Sequence, residues 1–350
     1  MLFDPRPKST RSELFDRDAE LSELHRLIDE ERPLVALTGV RRIGKTSVLR
    51  VLLSEVNIPF ILMDARGLPA NYGLRDLYAL LSSGMSNKGF IESMRSILES
   101  IRGLRIMGFE VELAWKGRSA LPLPVLLDYL NKRRVIIAVD EAQCLRGPRG
   151  GVFLEALAHA YDYDDNITFI LTGSEVGLLF EYLGVDDPSS PLYGRRVDTI
   201  TLGRFSRDDS AEFLRQGFRE AGVEVPSHYI EAIVGFFDGI PGWLALAGST
   251  VVSARGRIGL EELRRQAVEV AKRELMEIVE ARGRRYALVL KLIAQGVKRW
   301  SELKSRLEEA EGRIVPSSVL HNILESLRKL SIVEDYEFLD PVYKEAARTL

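Results

Sequence analysis

One eight-residue segment, G-V-R-R-I-G-K-T at residues 39–46, constrains the fold of this chain more than any other feature of its sequence. It matches the phosphate-loop pattern G-x-x-x-x-G-K-[ST] and lies between an apolar run, predicted to be a buried strand, and a predicted helix. Two glycines let the backbone turn tightly, so that successive N–H groups and the helix N-terminus surround a phosphate. The predicted phosphate contacts are Gly39, Val40, Arg41, Arg42, Ile43, Gly44, Lys45, Thr46 and Ser47.

The last two residues of this loop have separate expected roles. Lys45 is expected to reach the β- and γ-phosphates of a nucleotide as a point charge. The Thr46 hydroxyl is placed to ligate Mg²⁺. The loop therefore predicts a site for a nucleoside triphosphate with its metal ion.

A second strong signal is a run of five apolar residues, 135–139, followed by Asp140 and Glu141. This pattern is typical of a central parallel strand that ends at a metal site. Asp140 can hold Mg²⁺ through water, and Glu141 can polarise the attacking water. Two acids at the end of a strand are common on their own. Together with the upstream phosphate loop, they indicate hydrolysis.

Composition excludes several classes of protein. The 350 residues suffice for two or three domains, and 48 basic against 51 acidic residues give a net charge of −3, which does not indicate a protein built mainly around nucleic acid. A single cysteine, Cys144, excludes an internal disulfide. The four histidines are scattered and are expected to be surface or core residues rather than metal ligands. With neither a long apolar run nor an apolar signal core in residues 1–11, we expect a cytoplasmic protein without a membrane span.

Further strands are predicted at residues 59–65, 167–174 and 197–202, and a small hairpin between residues 104 and 115. Thr172 or Ser174, at the end of one strand, can contact the γ-phosphate or the water, although ordinary turns also end in such residues. Arg195 and Arg196 precede the strand predicted at 197–202. A cation from one of them can reach a triphosphate, bound either to the same chain or to a neighbouring copy. The alternative is a solvated pair of arginines.

The segment before the first strand has two open interpretations. Residues 15–21 open an amphipathic helix, and its entry, with Phe15 and Arg17, has a plausible use beside an adenine base. A helix cap with a buried phenylalanine explains the same residues equally well.

From residue 206 onward the pattern is helical, which predicts three parts: an α/β domain at 1–205, a helical domain at 206–282 and a third domain at 283–350. The last part combines three predicted helices with an alternating segment at 332–339, an arrangement typical of a winged helix. From residue 283 it carries 12 basic and 10 acidic residues. DNA readers usually show a clearer basic stripe, so contact with a protein or autoinhibition is an equal alternative.

Taken together, the chain resembles the archaeal ATPase family within the AAA+/STAND group of P-loop NTPases. The resemblance extends over nearly the whole chain and rests on the segments 15–21, 39–46, 140–143, 171–174, 192–196 and 239–242. It implies an α/β fold with a five-stranded parallel sheet, a helical lid domain and a C-terminal winged helix. It also implies ATP or ADP with Mg²⁺ as ligands.

The resemblance also implies roles for individual residues. Residues 172–174 would supply the first sensor, Arg195 or Arg196 the arginine finger, and Pro241 a contact with the adenine. One departure is that a Gly-x-Pro turn at residues 239–241 replaces the arginine that many AAA+ proteins carry as a second sensor. This departure weakens the case for a ring-forming motor.

The leading expectation is a Mg²⁺-dependent ATPase used as a conformational switch, with ADP holding a closed state and ATP opening it. An unidentified protein partner and a nucleotide-dependent homo-oligomer are expected. The alternatives are an ATP-dependent DNA-binding protein acting through the winged helix, and a nucleotide-holding scaffold with negligible turnover.

Overall fold

The computed structural model describes residues 1–101, 103–113 and 121–350. Its strands are β1 (Leu34–Thr38), β2 (Phe60–Asp64), β3 (Leu104–Met107), β4 (Glu110–Leu113), β5 (Val135–Asp140), β6 (Ile167–Gly173), β7 (Asp198–Thr201), β8 (Val333–Glu334) and β9 (Glu337–Phe338). The helices are α1 (Asp18–Asp29), α2 (Lys45–Glu55), α3 (Leu74–Met85), α4 (Lys88–Ser100), α5 (Leu123–Leu130), α6 (Gly150–Tyr163), α7 (Val176–Leu183), α8 (Arg207–Ala221), α9 (Ser227–Phe237), α10 (Pro241–Ser253), α11 (Leu260–Arg282), α12 (Arg284–Ala294), α13 (Trp300–Glu311), α14 (Ser317–Lys329) and α15 (Pro341–Ala347).

The predicted five-stranded parallel sheet is confirmed, with strand order β2-β5-β6-β1-β7. Strands β1, β5 and β6 are buried along their whole length, because helices cover both faces of the sheet. Leu37 pairs with Thr172, and Val139 pairs with Leu171. This register brings the ends of the three strands to one edge of the sheet, where the phosphate loop, Asp140 and Thr172 meet.

Two apolar layers hold the sheet in place. On one face, α1 and α2 pack through Leu24, Val48 and Leu52. On the other face, α3 to α6 pack through a larger cluster that includes Phe90 and Leu126. The predicted hairpin is β3-β4, which packs on α3; residues 114 and 115 of that prediction lie outside the described residues. The helix α2 therefore has a rigid support directly behind the phosphate loop.

The helical lid and the winged helix are confirmed, and they share one hydrophobic core. Trp243 of α10, Leu275 of α11, Leu290 of α12 and Val342 of α15 all belong to this cluster and are almost fully buried. The division at residues 282 and 283 therefore separates two sequence patterns without separating two cores. The three-domain boundaries stay a prediction.

Two short helices were not expected from the sequence. The helix α7 is eight residues long and mostly apolar, so it shows no polar face that would set a helical period. The helix α15 has seven residues and begins with a proline after Asp340, whose side chain accepts hydrogen bonds from the Val342 and Tyr343 N–H groups. Both helices lie at contacts between the ATPase part, the lid and the winged helix. Among the described residues, no helix is both long and apolar enough to cross a membrane.

Candidate active site

A cleft of about 530 Å³ opens at the carboxyl edge of the sheet, between the phosphate loop, the lid and the first residues of the chain. It brings together most of the residues that the sequence pattern selects. Its lining includes Phe15, Arg17, Arg41, Arg42, Ile43, Gly44, Lys45, Thr46, Ser47, Glu141, Ser174 and Pro241.

The phosphate loop has the backbone conformation that its glycines allow. The φ angles of Gly39 and Gly44 are 140° and 103°, and a Cβ at Gly39 would lie 2.9 Å from the Leu202 carbonyl oxygen. Lys45 is 4% exposed, and its Nζ donates to the Gly39 and Val40 carbonyls at 2.9 and 3.1 Å. Burial lowers the pKa of this ammonium, although Glu141 and Asp140 oppose the shift. The charge is thus held at the mouth of the loop.

The predicted metal ligands lie side by side. Thr46 Oγ1 donates to Asp140 Oδ2 at 2.9 Å, and Thr172 Oγ1 donates to Asp140 Oδ1 at 2.6 Å. Asp140 is 2% exposed, so these hydroxyls orient its carboxylate. A hydroxyl beside a carboxylate is a donor set that fits Mg²⁺, which usually takes one or two protein oxygens and completes its shell with water and phosphate.

The Glu141 carboxylate is held from two sides. Its Oε2 accepts from Ser174 N at 3.0 Å, Ser174 Oγ at 2.6 Å and Gln143 Nε2 at 2.7 Å. Burial alone would raise the pKa of Glu141, but the Lys45 charge and these hydrogen bonds lower it overall. Glu141 is therefore an ionised carboxylate next to the phosphate loop, in the state that a general base requires.

The other end of the cleft is aromatic. The Phe15 ring makes edge contacts with Phe205 and Phe213, with ring centroids 5.5 Å apart in each case. Arg17 lies with its guanidinium 4.8 Å from the Phe205 centroid and donates to the Gly203 carbonyl at 2.7 Å. Phe15 is thus packed on the lid and also lines the cleft, but no described side chain caps α1 and Phe15 is only half-buried. Its contact with an adenine base stays a prediction. Arg17 uses much of its hydrogen-bonding capacity on the protein itself.

Arg195 and Arg196 are not brought to this cleft. Both precede β7, whose Asp198 pairs with Val35, whereas the phosphate loop begins after Thr38 at the opposite end of the same strand pair. At about 3.3 Å per residue, Arg196 lies about 20 Å from the loop along the strand direction. Arg195 binds Asp162 and Arg196 binds Asp198. The expectation that either arginine acts on the nucleotide of its own chain is therefore wrong. Its action on the nucleotide of a neighbouring copy stays a prediction.

Several lining residues were missed from the sequence. Gln143 lies two residues after Glu141 in the D-E-A-Q segment, and that spacing was the available signal. Arg66 follows β2, and its Nη2 lies 3.4 Å from Asp140 Oδ2. Residues 4–8, before α1, also line the cleft, and Lys8 N donates to Ser47 Oγ at 3.1 Å. The contacts of Arg66 and Lys8 depend on pairings between distant segments, which no local pattern indicates.

A second group of possible metal ligands lies elsewhere. Ligand atoms of Asp128, His159 and Asp164 come within 4.8 Å of one another in the described part of the chain. His159 Nε2 lies 2.7 Å from Asp128 Oδ1, a contact that a surface histidine makes without any metal. The expectation that no histidine ligates a metal stays a prediction.

Comparisons with known proteins identify the family of this chain. A family model described as an ATPase domain predominantly from Archaea matches residues 14–247, and a model of the MCM protein C-terminal winged helix-turn-helix domain matches residues 280–346. A Walker-type ATPase of Pyrococcus abyssi is 36% identical, with 99% of this chain and 100% of that chain covered and a TM-score of 0.85. The ADP form of the ORC2 protein of Aeropyrum pernix shares the fold, at 18% identity, coverage of 95% and 90%, and a TM-score of 0.55. No curated protein matches the sequence.

The fold and the site define a P-loop ATPase of the AAA+-like class, with a helical lid and a C-terminal winged helix. More specifically, the chain belongs to the family of ATPases found predominantly in Archaea, and it is an ATP-hydrolysing enzyme.

The single cysteine allows a direct test of the cleft. Desolvation at the cleft wall and the nearby Glu141 and Glu175 raise the pKa of the Cys144 thiol to about 11, although the residue itself is exposed. At pH 8 its thiolate fraction is small, so alkylation should be about tenfold slower than for a free cysteine. The rate should increase up to about pH 11 and fall when ATP is bound, because the phosphates add negative charge.

Mass spectrometry of the alkylated chain measures this rate, and Cys144→Ser provides the unlabelled control. A rate at pH 8 equal to that of a free cysteine, or one that ATP leaves unchanged, would contradict the placement of Cys144 in the nucleotide cleft.

Proposed function

We propose that this ATPase binds ATP with Mg²⁺ in the cytoplasm and uses the exchange between ATP and ADP as a conformational switch, which the winged helix reports to a protein partner. The observation that carries the proposal is that the winged helix contacts the ATPase part directly behind Ser174. The residues of the cleft hydrolyse ATP, and this contact transmits the nucleotide state to the winged helix.

The chemistry needs positioning and charge neutralisation more than covalent steps. The loop N–H groups and Lys45 bind the phosphates. Thr46 and Asp140 would hold Mg²⁺, which would supply positive charge beside the phosphate oxygens. Glu141 accepts a proton from the attacking water while the oxygen of that water adds to the γ-phosphorus. The bond from that phosphorus to the bridging oxygen breaks, which releases ADP and phosphate.

Ser174 is the residue that we assign as the sensor of the γ-phosphate. It lines the cleft and holds Glu141 through two hydrogen bonds. Thr172 is fully buried, and its hydroxyl donates to Asp140 and accepts from the Glu141 N–H. A γ-phosphate that recruits Ser174 would release one side of the Glu141 carboxylate toward the water. Thr172 is better suited to hold the metal ligand in place.

The contact behind Ser174 joins α7 to the end of α14. Val176 N donates to Ser331 Oγ at 3.0 Å, and Lys329 Nζ lies 3.0 Å from Glu181 Oε2. A Cβ at Gly177 would lie 2.6 Å from Lys329 Cα, so the two backbones are in close contact. Because only Glu175 separates Ser174 from this helix, a shift of the sensor moves the surface on which the winged helix rests.

The proposal includes a homo-oligomer whose assembly depends on the bound nucleotide. Arg195 and Arg196 lie far from their own cleft, and this fits an arginine finger that acts on a neighbouring copy. Comparing the mass in solution with ADP and with a non-hydrolysable ATP analogue tests this, and a mass that stays monomeric in both states would contradict it.

Glu141→Gln is expected to lower single-turnover hydrolysis by about 10²- to 10⁴-fold, because the amide cannot accept the proton. ATP affinity should change little. Lys45→Ala should instead abolish binding, since the phosphates lose a buried cation. Glu155→Gln, on the exposed face of α6, is the matched control and should hydrolyse at the native rate. Native hydrolysis by the Glu141 variant would remove it as the base.

Amide hydrogen exchange tests the switch. The first N–H groups of a helix have no acceptor inside that helix, and Val176 N–H is one of them in α7. Its protection from exchange therefore depends on the hydrogen bond to Ser331. We expect slow exchange with ADP and exchange at least about tenfold faster with the ATP analogue, measured on a peptide that includes this amide. A peptide from α6 serves as the reference. Equal rates in both states would exclude an ATP-driven release of this contact.

DNA binding through the winged helix is the second candidate, favoured by the family match over residues 280–346. The wing opposes it, because Glu334 pairs with Glu337 across β8-β9 and Asp335 lies between them. Phosphate contacts would make duplex affinity fall steeply with salt. Binding at low salt with such a slope would support DNA as the partner, and no binding at low salt would exclude it.

A further inference from the structure

Arg42 lies in the middle of the phosphate loop, yet its guanidinium contacts the lid. Its Cζ lies 4.1 Å from the ring centroid of Trp243 on α10, a cation–π contact. Its Nη2 also donates to Glu274 Oε1 on α11, and this ion pair is largely buried. The residue has a φ of 68°, which a non-glycine residue rarely adopts, so these contacts maintain an unfavourable backbone conformation.

Both lid partners of Arg42 contact the winged helix in turn. The Tyr343 hydroxyl donates to the second carboxylate oxygen of Glu274. Trp243 Nε1 donates to Asp340 Oδ2 at 2.7 Å. Tyr343 and Asp340 are each 6% exposed, and both belong to the start of α15. Burial and the Glu274 charge raise the pKa of Tyr343, so its phenol remains a hydrogen-bond donor at neutral pH.

The backbone around Arg42 leaves little room for movement. Gly242 N donates to the Arg42 carbonyl at 2.9 Å, and a Cβ on Gly242 would lie 2.7 Å from Arg42 Cβ. The loop and the first turn of α10 therefore move together. A rearrangement of α15 removes hydrogen bonds from both Glu274 and Trp243, and these two residues hold the guanidinium.

We infer that Tyr343 and Asp340 of the winged helix are positioning residues for the phosphate loop, acting through Glu274 and Trp243 on Arg42. Nucleotide affinity then depends on the docked winged helix, although no winged-helix residue lines the cleft among those described. By thermodynamic linkage, a nucleotide that alters the loop changes the docking of α15 by the same factor. The inference rests on the nucleotide site of the proposed function, and does not require the α7 contact.

The test begins with Tyr343→Phe, which removes one hydroxyl and keeps the buried ring. We expect the dissociation constant for ADP, measured by calorimetry on the full chain, to rise at least about fivefold. The turnover number at saturating ATP should stay unchanged, because the hydrogen bonds of Glu141 are not altered. Tyr229→Phe is the matched control: its hydroxyl donates to the Ile258 carbonyl at 2.8 Å within the lid, away from Arg42, and its loss should leave the affinity unchanged.

A double-mutant cycle separates positioning from general stability. In an Arg42→Met background, Tyr343→Phe should have a clearly smaller effect on ADP affinity, because the main guanidinium through which it acts is absent and only the Arg41 Nε, 3.7 Å from Glu274 Oε2, remains. Equal effects of Tyr343→Phe in both backgrounds would overturn the inference. A lowered melting temperature with unchanged affinity would also overturn it, since a merely structural hydroxyl behaves in that way.

The two proposals fail differently. If the native chain does not bind ADP, the proposed function is wrong and this inference is wrong with it. If the native chain binds ADP and Tyr343→Phe binds it equally well, this inference alone is wrong.

Discussion

The site depends on one buried carboxylate. Asp140 ends the strand β5, and its two oxygens accept hydrogen bonds from Thr46, the last residue of the phosphate loop, and from Thr172 on the neighbouring strand β6. These hydroxyls hold the carboxylate where it is desolvated, which costs free energy unless its oxygens are paired. The same bonds connect the ends of β5 and β6 to the first turn of α2. The phosphate loop and Glu141 are thereby held within the reach of one triphosphate.

Around this fixed centre, the lid and the winged helix form a single body. Their shared core includes Trp243 and Val342, and its polar contacts end at Arg42 inside the phosphate loop. The winged helix thus reaches the nucleotide site along two routes, one through α7 behind Ser174 and one through Glu274 and Trp243. A change in the bound phosphates that displaces Ser174 or Arg42 therefore changes how the lid and the winged helix pack against the ATPase part. This arrangement suits a switch, because packed interfaces have discrete states.

The positions of Arg195 and Arg196 show what local sequence patterns cannot predict. Arg195 and Arg196 resemble a finger in sequence, but the parallel register of β7 with β1 places them at the end of the sheet away from the phosphates. Arg66, which no motif selects, lies beside Asp140 because β2 pairs with β5. A parallel sheet joins segments that are far apart in the chain. The neighbour of a given side chain is therefore set by strand order, which local patterns do not encode.

The sequence by itself determined the phosphate loop, the Asp140-Glu141 pair, the five strands and the helical and winged parts, because each depends on spacing within one short segment. The glycine positions, the apolar runs and the helical periods carry that information locally. The tertiary structure alone decided that Ser174 holds Glu141, and that Tyr343 and Asp340 reach Arg42 through the lid. The contact between Arg42 and Glu274, which completes this connection, joins residues 232 positions apart in the sequence.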